Sequence, residues 1–329
     1  MDDGLNSPLP DRCRQRHRNG RRVQDVTCTV MQANRQVMLL GGTSQLGFSI
    51  VRRHGTENLT PFCSVHSRYS ACEHWPRVNL DDGEALRRIV QEWKPDLLLH
   101  CAGICDVGKC ESWPDFARQV NVDSVGILLS VLPRSARFVY CSSDHVFGGD
   151  RGPYTESDTP HPISVYGRTR CAAEELIARE RPDALIVRHG VGIGPSVSGR
   201  TGHLDWLRRR TLRGLPTTVI SDEVRSAVWS EDLADRIWNL AHSDLRGVRH
   251  VVATHASSRV ELARYLNARF GIGATLAVAT RSEQSAPHIG NVELATEHDD
   301  PFAAPLEAVV RLDAGPEADP ERKGGLSPK

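Results

Sequence analysis

The chain has 329 residues, of which 39% are hydrophobic and 25% charged. That is enough apolar surface to bury a substantial core, which excludes a disordered or fibrous chain. Its 41 basic and 41 acidic residues cancel to a formal charge of zero, so no global field draws it to nucleic acid or to an anionic membrane, and any anionic ligand must be held locally. Nine cysteines, an odd number in a chain too long for a small disulfide scaffold, point to reduced thiols and hence to the cytoplasm. No run reaches the roughly eighteen apolar residues of a membrane span, and the first thirty residues lack the apolar core of a secretory signal.

In chain order, residues 1–34 show neither a period-2 nor a period-3.6 apolar pattern and carry Arg12, Arg14, Arg16, Arg18, Arg21 and Arg22. They read as a disordered tail, with a basic RNA-binding or targeting arm, or a true start at Met31, as the alternatives. From Gln36, QVMLLGG reads as a strand, LGFSIVRRH as a helix, PFCSVHS as a strand and DGEALRRIVQEW as a helix. DLLLHCAG (strand), DSVGILLSVLP (helix) and ARFVYCSS (strand) continue the alternation. AAEELIARE then reads as a helix, ALIVRHG as a strand, and GVRHVVATHASSRVELARYLNARF as strand, loop and helix. Alternation of this kind predicts an α/β fold with a parallel sheet and crossover helices on both faces. Residues 313–329, rich in Pro, Gly and charge, read as a second disordered tail.

Directly after the first strand comes Gly41-Gly42-Thr43-Ser44-Gln45-Leu46-Gly47, opening a helix. Small residues at 41, 44 and 47 let the backbone turn tightly and approach a pyrophosphate, while the helix N-terminus offers free N–H groups to the anion. Position 44 is serine where glycine is usual, and an ordinary strand-to-helix turn is the alternative. At the end of the second strand stand His66, Ser67 and Arg68 with no carboxylate. That favours NADP(H) over NAD, with Arg68 as the ligand of the 2′-phosphate; a surface loop arginine is the alternative. Asp81, after RVNL, fits either the adenine edge or a turn.

Further on, Ser142-Ser143-Asp144-His145 ends the strand ARFVYCSS, and Tyr166 is followed four positions later by Arg170. A hydroxyl at a strand's carboxyl end and a tyrosine one helical turn from a cation can converge on one carbonyl. In that layout a phenol supplies the proton, the cation eases its ionisation, and the serine hydroxyl orients the carbonyl oxygen for hydride transfer. A helix-surface pair is the alternative. Cys101, Cys105 and Cys110 beside His100 superficially suggest a metal site, but their spacing matches no zinc pattern and no metal is expected.

Taken together, GGTSQLG at 41–47, DLLLHCAGICDVGKCE at 96–111, VNVDSVGILL at 120–129, YCSSDHVFGG at 140–149 and PYTESDTPHPISVYGRTRCAAEE at 153–175 fall in a distinctive order. SAVWSEDLAD at 226–235, HVVATHASSRVELARYL at 250–266 and NVELAT at 291–296 extend it. In these pieces the chain resembles the extended short-chain dehydrogenase/reductase family, and within it the dTDP-4-dehydrorhamnose reductases and their sugar-nucleotide-binding relatives. The resemblance implies a Rossmann-type doubly wound parallel sheet with a smaller C-terminal substrate-binding region. An NADP-binding domain would span 35–185, and a substrate-binding region, interleaved with the last sheet strands, would span 186–312. It implies an NADP(H)-dependent reductase of a 4-keto sugar nucleotide, with a related epimerase or a catalytically impaired NADP-binding regulatory protein as alternatives. A homodimer is open, since members are often dimers.

The resemblance also assigns roles. The chemistry falls to Ser143, Tyr166 and the residue at 170, a lysine in the family and Arg170 here. Cofactor contacts fall to Gly41, Thr43, Ser44, Gln45, Leu46, Gly47, His66, Ser67, Arg68, Asp81, Cys101, Ala102 and Gly103, joined by Tyr166 and Arg170. Substrate contacts fall to Ser143, Asp144, His145, Val191 and Arg225. Asn121 matches a residue that braces the sheet. Val191 lies near the place of a sugar-packing Trp, and His145 where Tyr is usual. Arg225 is expected either to hold a substrate phosphate or to pair with Glu231 or Asp232.

Overall fold

The computed structural model describes residues 35–311, so the expectations for 1–34 and 313–329 lie outside the described residues. The chain begins with β1 (Val37–Leu40), α1 (Gln45–His54), β2 (Thr60–Phe62), α2 (Gly83–Trp93) and β3 (Leu97–His100). Two short helices, α3 (Val107–Ser112) and α4 (Pro114–Arg118), lead into α5 (Ser124–Val131), followed by β4 (Arg137–Cys141), α6 (Val165–Glu180) and β5 (Leu185–His189). Then come β6 (Val191–Ile193), α7 (His203–Leu212), β7 (Thr217–Ile220), β8 (Val224–Trp229), α8 (Ser230–Ala241) and β9 (Gly247–Val251). β10 (Ala256–Ser258), α9 (Arg259–Arg269), β11 (Leu276–Ala279) and β12 (Asn291–Val292) complete the order.

Six strands pair in the order β2-β1-β3-β4-β5-β9, every pairing parallel. The runs VMLL and LLLH are buried throughout because helices cover both faces, leaving no solvated side for polar residues. Side chains alternate between the faces. Leu39, Leu97, Leu99, Val139 and Val187 pack with Ile50 of α1 and Ile237 of α8. Met38, Leu98, Phe138 and Ile186 pack with Leu86 of α2, Leu128 of α5 and Ile177 of α6 on the other.

β1 lies between β2 and β3, so the chain passes from β1 to β2 on one side and then crosses to β3 on the other, and the crevice opened at the carboxyl ends there is where α/β sheets take ligands. After β5 the chain departs for β6, β7 and β8, and returns as β9 to close the large sheet. β8 pairs with β6, β10 and β12 in a second sheet, while β7 and β11 form a separate parallel pair. Among the described residues, no helix is long and apolar enough to cross a membrane.

A buried polar brace holds the carboxyl end of β4 to α6 and β5. Glu174 accepts from Arg188 Nη2 at 2.7 Å and from Arg188 Nε at 3.1 Å, and Ser142 Oγ donates to the same carboxylate. Both partners are about 5% exposed, so removing the acid strands a guanidinium in the core. Glu174→Ala is therefore expected to lower stability by about 3–5 kcal/mol, read as a fall in the urea midpoint, with Glu174→Gln milder. An unchanged midpoint would show that the brace carries no net stability.

Candidate active site

At the carboxyl ends of β1, β3 and β4 lies a cavity of about 730 Å³. Gly41, Thr43, Ser44 and Gln45 line it from the first loop, His66 and Asp81 from the β2 side, and Ala102 and Gly103 from the end of β3. Ser143, His145 and Tyr166 line its middle, and Val191 and Arg225 reach it from the C-terminal region. Leu46, Gly47, Ser67, Arg68, Cys101, Asp144 and Arg170 do not line it; each has another place.

The first loop is shaped by missing side chains. A Cβ on Gly41, whose φ is +90°, would lie 2.8 Å from the Ala102 backbone, and one on Gly47 would lie 2.1 Å from the Gly41 carbonyl oxygen. Ser44, the departure from glycine, caps α1: its Oγ accepts from Gly47 N at 3.0 Å. Gln45 Nε2 donates to Gly194 O at 3.0 Å, tying the loop to the chain beyond β6. Leu46 turns into the core beneath α1.

At the end of β2 the arginine folds back. Arg68 Nη1 donates to Val65 O at 2.6 Å and to Ser67 O at 3.0 Å, while Ser67 is buried beneath it. Arg77 clamps the same turn, donating to Ser67 O at 2.6 Å, and Asn79 Oδ1 accepts from Ser64 Oγ at 2.8 Å beside the cavity. Neither Arg77 nor Asn79 stands out in the sequence.

At the end of β3, Cys101 faces Cys141 across the strands, with the sulfurs 3.4 Å apart, and burial holds its thiol well above its ordinary value. Gly103 has φ +145°, and a Cβ there would lie 2.7 Å from both Arg170 Nη2 and Asn121 Oδ1. Asn121 pins this segment to α6: Oδ1 accepts from Ile104 N at 2.8 Å, and Nδ2 donates to Thr169 Oγ1 at 3.0 Å. Among the described residues, no cluster of His, Cys, Asp and Glu could hold a metal ion.

Ser143 Oγ donates to Asp144 Oδ1 at 3.2 Å, and Tyr166 sits in the first turn of α6, a helix capped by Ser164. The Tyr166 ring meets His145 edge to face at 5.1 Å between centroids. Arg170, one turn on, is buried, with its guanidinium carbon 5.2 Å from the centre of the Tyr166 ring. Asp144 is sealed beneath them, accepting from Arg225 Nε at 2.8 Å and Nη2 at 2.5 Å. This corrects the expected pairing of Arg225 with Glu231 or Asp232. β8 carries Arg225 into the cavity, whereas Glu231 and Asp232 open α8 beyond the end of that strand, and Glu231 lies 3.6 Å from Arg52.

Residues 35–291 match the family described as RmlD substrate binding domain. The chain belongs to that family. Over 261 residues it is 28% identical to the Probable low-salt glycan biosynthesis reductase of Haloferax volcanii, covering 75% of this chain and 84% of that protein. It is 32% identical over 156 residues to Methionine adenosyltransferase 2 subunit beta of Bos taurus, which is 47% of this chain and 46% of that protein. The fold superposes with a TM-score of 0.71 on a crystal structure of dTDP-4-dehydrorhamnose reductase from Bacillus anthracis in complex with NADP. That match is 21% identical and covers 84% of this chain and 96% of the other.

Within this RmlD-type chain the C-terminal side of the cavity is held electrically neutral. Glu223, missed in the sequence although it precedes Arg225 by two residues, lies 3.0 Å from Arg259 and 2.9 Å from His288 Nδ1. Burial raises its carboxyl, but His288 and the charges of Arg259 and Arg225 outweigh that and hold it well below the usual carboxylate range. Burial, aided by Arg225, pushes His145 down to about 4. Burial also lowers His189 and His203, the latter a lining residue that composition alone gave no reason to choose. These imidazoles are neutral near pH 7.

An imidazole depressed on folding binds fewer protons in the native chain than in the unfolded one, whose ordinary value is about 6.5. Stability is thus complete above about 6.5 and lost as pH falls through the native value. The urea midpoint is expected to drop between pH 7 and 4.5, with a shallower slope in His145→Gln. An identical slope in that variant would place the acid sensitivity elsewhere.

Proposed function

We propose that this chain is an NADP(H)-dependent reductase of a 4-keto sugar nucleotide, with a dTDP-deoxyhexose as the first candidate, working in the cytoplasm. The observation that carries the reading is that the glycine loop, Ser143 and Tyr166 all line one cavity at the switch point of the sheet. Residues 35–185 would hold the cofactor, and residues 186–312, which leave and rejoin the large sheet, would supply most substrate contacts.

The residues present fit a dinucleotide. Gly41 and Gly47 let the loop close on the Ala102 backbone and on its own carbonyl, a turn that a side chain at either position would block, and the β2 end offers His66, Ser67 and Arg68 with no acid to repel a phosphate. When bound, the nicotinamide supplies the hydride for the C4 carbonyl. The loop N–H groups at the start of α1 hold the pyrophosphate, and Ala102 and Gly103 let the cofactor lie close to the end of β3. Arg68 meets the 2′-phosphate by releasing the two carbonyls it now holds. Tyr166 gives its hydroxyl proton to the substrate's carbonyl oxygen, Ser143 Oγ turns its own proton from Asp144 to that oxygen and so holds it, and Arg170 keeps a positive charge beside the phenol. Val191, His145 and Arg225, which Asp144 holds from beneath, face the sugar nucleotide.

A second reading is a protein of the same fold that binds the cofactor without turnover. Arg170 in the place of lysine favours it, because a guanidinium cannot pass on a proton.

Titration of the purified chain with NADPH and NADH, following nicotinamide fluorescence, is expected to give tighter binding of NADPH. Addition of a dTDP-4-keto-6-deoxyhexose should then oxidise it. Tyr166→Phe should cut turnover by at least about 100-fold with NADPH binding retained. NADPH binding without oxidation by the wild type would select the second reading, and no binding would remove both. Arg68→Ala should weaken NADPH about tenfold and leave NADH unchanged; equal effects on both would return Arg68 to an ordinary loop residue.

A further inference from the structure

Arg170 stands where the family has lysine, and the fold has given it an acceptor. Among the described residues its side chain donates to Tyr140 Oη at 2.8 Å and weakly to Cys141 O at 3.5 Å, while its buried Nε has no partner. No carboxylate takes part. A buried cation without a counter-ion is expensive, and its charge, being uncancelled, acts strongly on whatever lies near. Two aromatic faces lie near: the guanidinium carbon is 5.6 Å from the centre of the Tyr140 ring and 5.2 Å from that of Tyr166.

Tyr140 is suited to hold such a group. It lies on β4 with no exposed surface, and its ring meets His100 edge to face at 5.5 Å. Burial, only partly opposed by the Arg170 charge, pushes its phenol up to about 12, so it stays a neutral dipole at working pH. A neutral acceptor orients a guanidinium without cancelling it; an aspartate in its place would do both. The fork of an arginine is planar and rigid, so a hydrogen bond at Nη1 restricts where the rest of the group can lie. Gly103 provides the room on the cavity side, since a Cβ there would stand 2.7 Å from Nη2.

We propose that Tyr140 is a positioning residue for the proton-donating step: its hydroxyl orients Arg170 so that an uncancelled positive charge is fixed against Tyr166, the part the family's lysine would otherwise play. This rests on the reading of Tyr166 as proton donor. The other groups around Tyr166 leave that task to Arg170. His145, from the loop after β4, is neutral, Cys110 of α3 is a buried thiol pushed up to about 11, and Arg225 of β8 is neutralised by Asp144.

Phenolate formation can be followed in the full chain by ultraviolet difference absorbance against pH, the Tyr166 component being the difference between each protein and its Tyr166→Phe counterpart. In Tyr140→Phe this component should move up by about one pH unit, and kcat with the keto sugar at neutral pH should fall about tenfold with NADPH binding retained. Arg170→Gln should give the same upward movement, and Tyr140→Phe added to it should move nothing further. A Tyr166 component that stays in place in Tyr140→Phe, or two shifts that add, overturns the proposal. Should Tyr140→Phe fail to fold, Arg170→Gln carries the test alone, and a Tyr166 component that stays in place there also overturns the proposal. The titration does not depend on turnover. Variants that show the shift beside a wild type that reduces no keto sugar would therefore sink the reductase reading and leave the Tyr140–Arg170–Tyr166 coupling standing.

Discussion

The buried pair between Asp144 and Arg225 joins the two halves of the molecule. Asp144 belongs to the loop after β4 of the large sheet, Arg225 to β8 of the second sheet, and the cavity lies where they meet. A bidentate carboxylate–guanidinium contact fixes the angle between its partners as well as their distance. Ser143 hangs on the same carboxylate, and the Arg225 charge helps to keep His145 unprotonated. The placement of the serine and part of the seating of the C-terminal region therefore rest on one contact, which desolvation makes costly to break from either side.

What the sequence made legible was local. Alternating apolar runs located β1 to β5, β9, and the helices α1, α2, α5, α6 and α9, because burial on both faces of a parallel sheet leaves a signature within each short run. The glycine loop was legible because its constraint is steric and acts within seven residues. Tyr166 and Arg170 were legible because one helical turn separates them. The unread parts depend on distance in the chain. β6 and β7 are short, and β8 carries the polar Arg225 and Ser226 in its buried middle, so none of them shows an unbroken apolar run. Asp144 and Arg225 are 81 residues apart, and Tyr140 and Arg170 are 30 apart. Arg68 lies in the turn that follows β2, and the carbonyls that now hold it are a property of the turn's shape.

The skew toward arginine has a structural correlate. Only Lys94, Lys109, Lys323 and Lys329 are lysines among the 41 basic residues. Several guanidiniums gather backbone carbonyls that end helices or cross between elements. Arg137 takes Ala241 O at 2.9 Å and Leu245 O at 2.6 Å, Arg181 takes Pro133 O and Ala136 O, and Arg236 takes Phe302 O and Ala304 O. Each fork satisfies two or more acceptors at once, which a compact ammonium on a flexible stem does less well. These three guanidiniums are thus occupied within the fold.

The serine at the start of α1 redistributes where a dinucleotide would be gripped. By taking the Gly47 N–H into its own cap, Ser44 withdraws one of the few donors that a helix N-terminus can turn toward an anion. A pyrophosphate held by one donor fewer contributes less of the total grip, and the adenosine end must contribute more. In such a chain the turn after β2 governs how tightly a dinucleotide is held as well as which one, so retention and choice of cofactor would evolve together there.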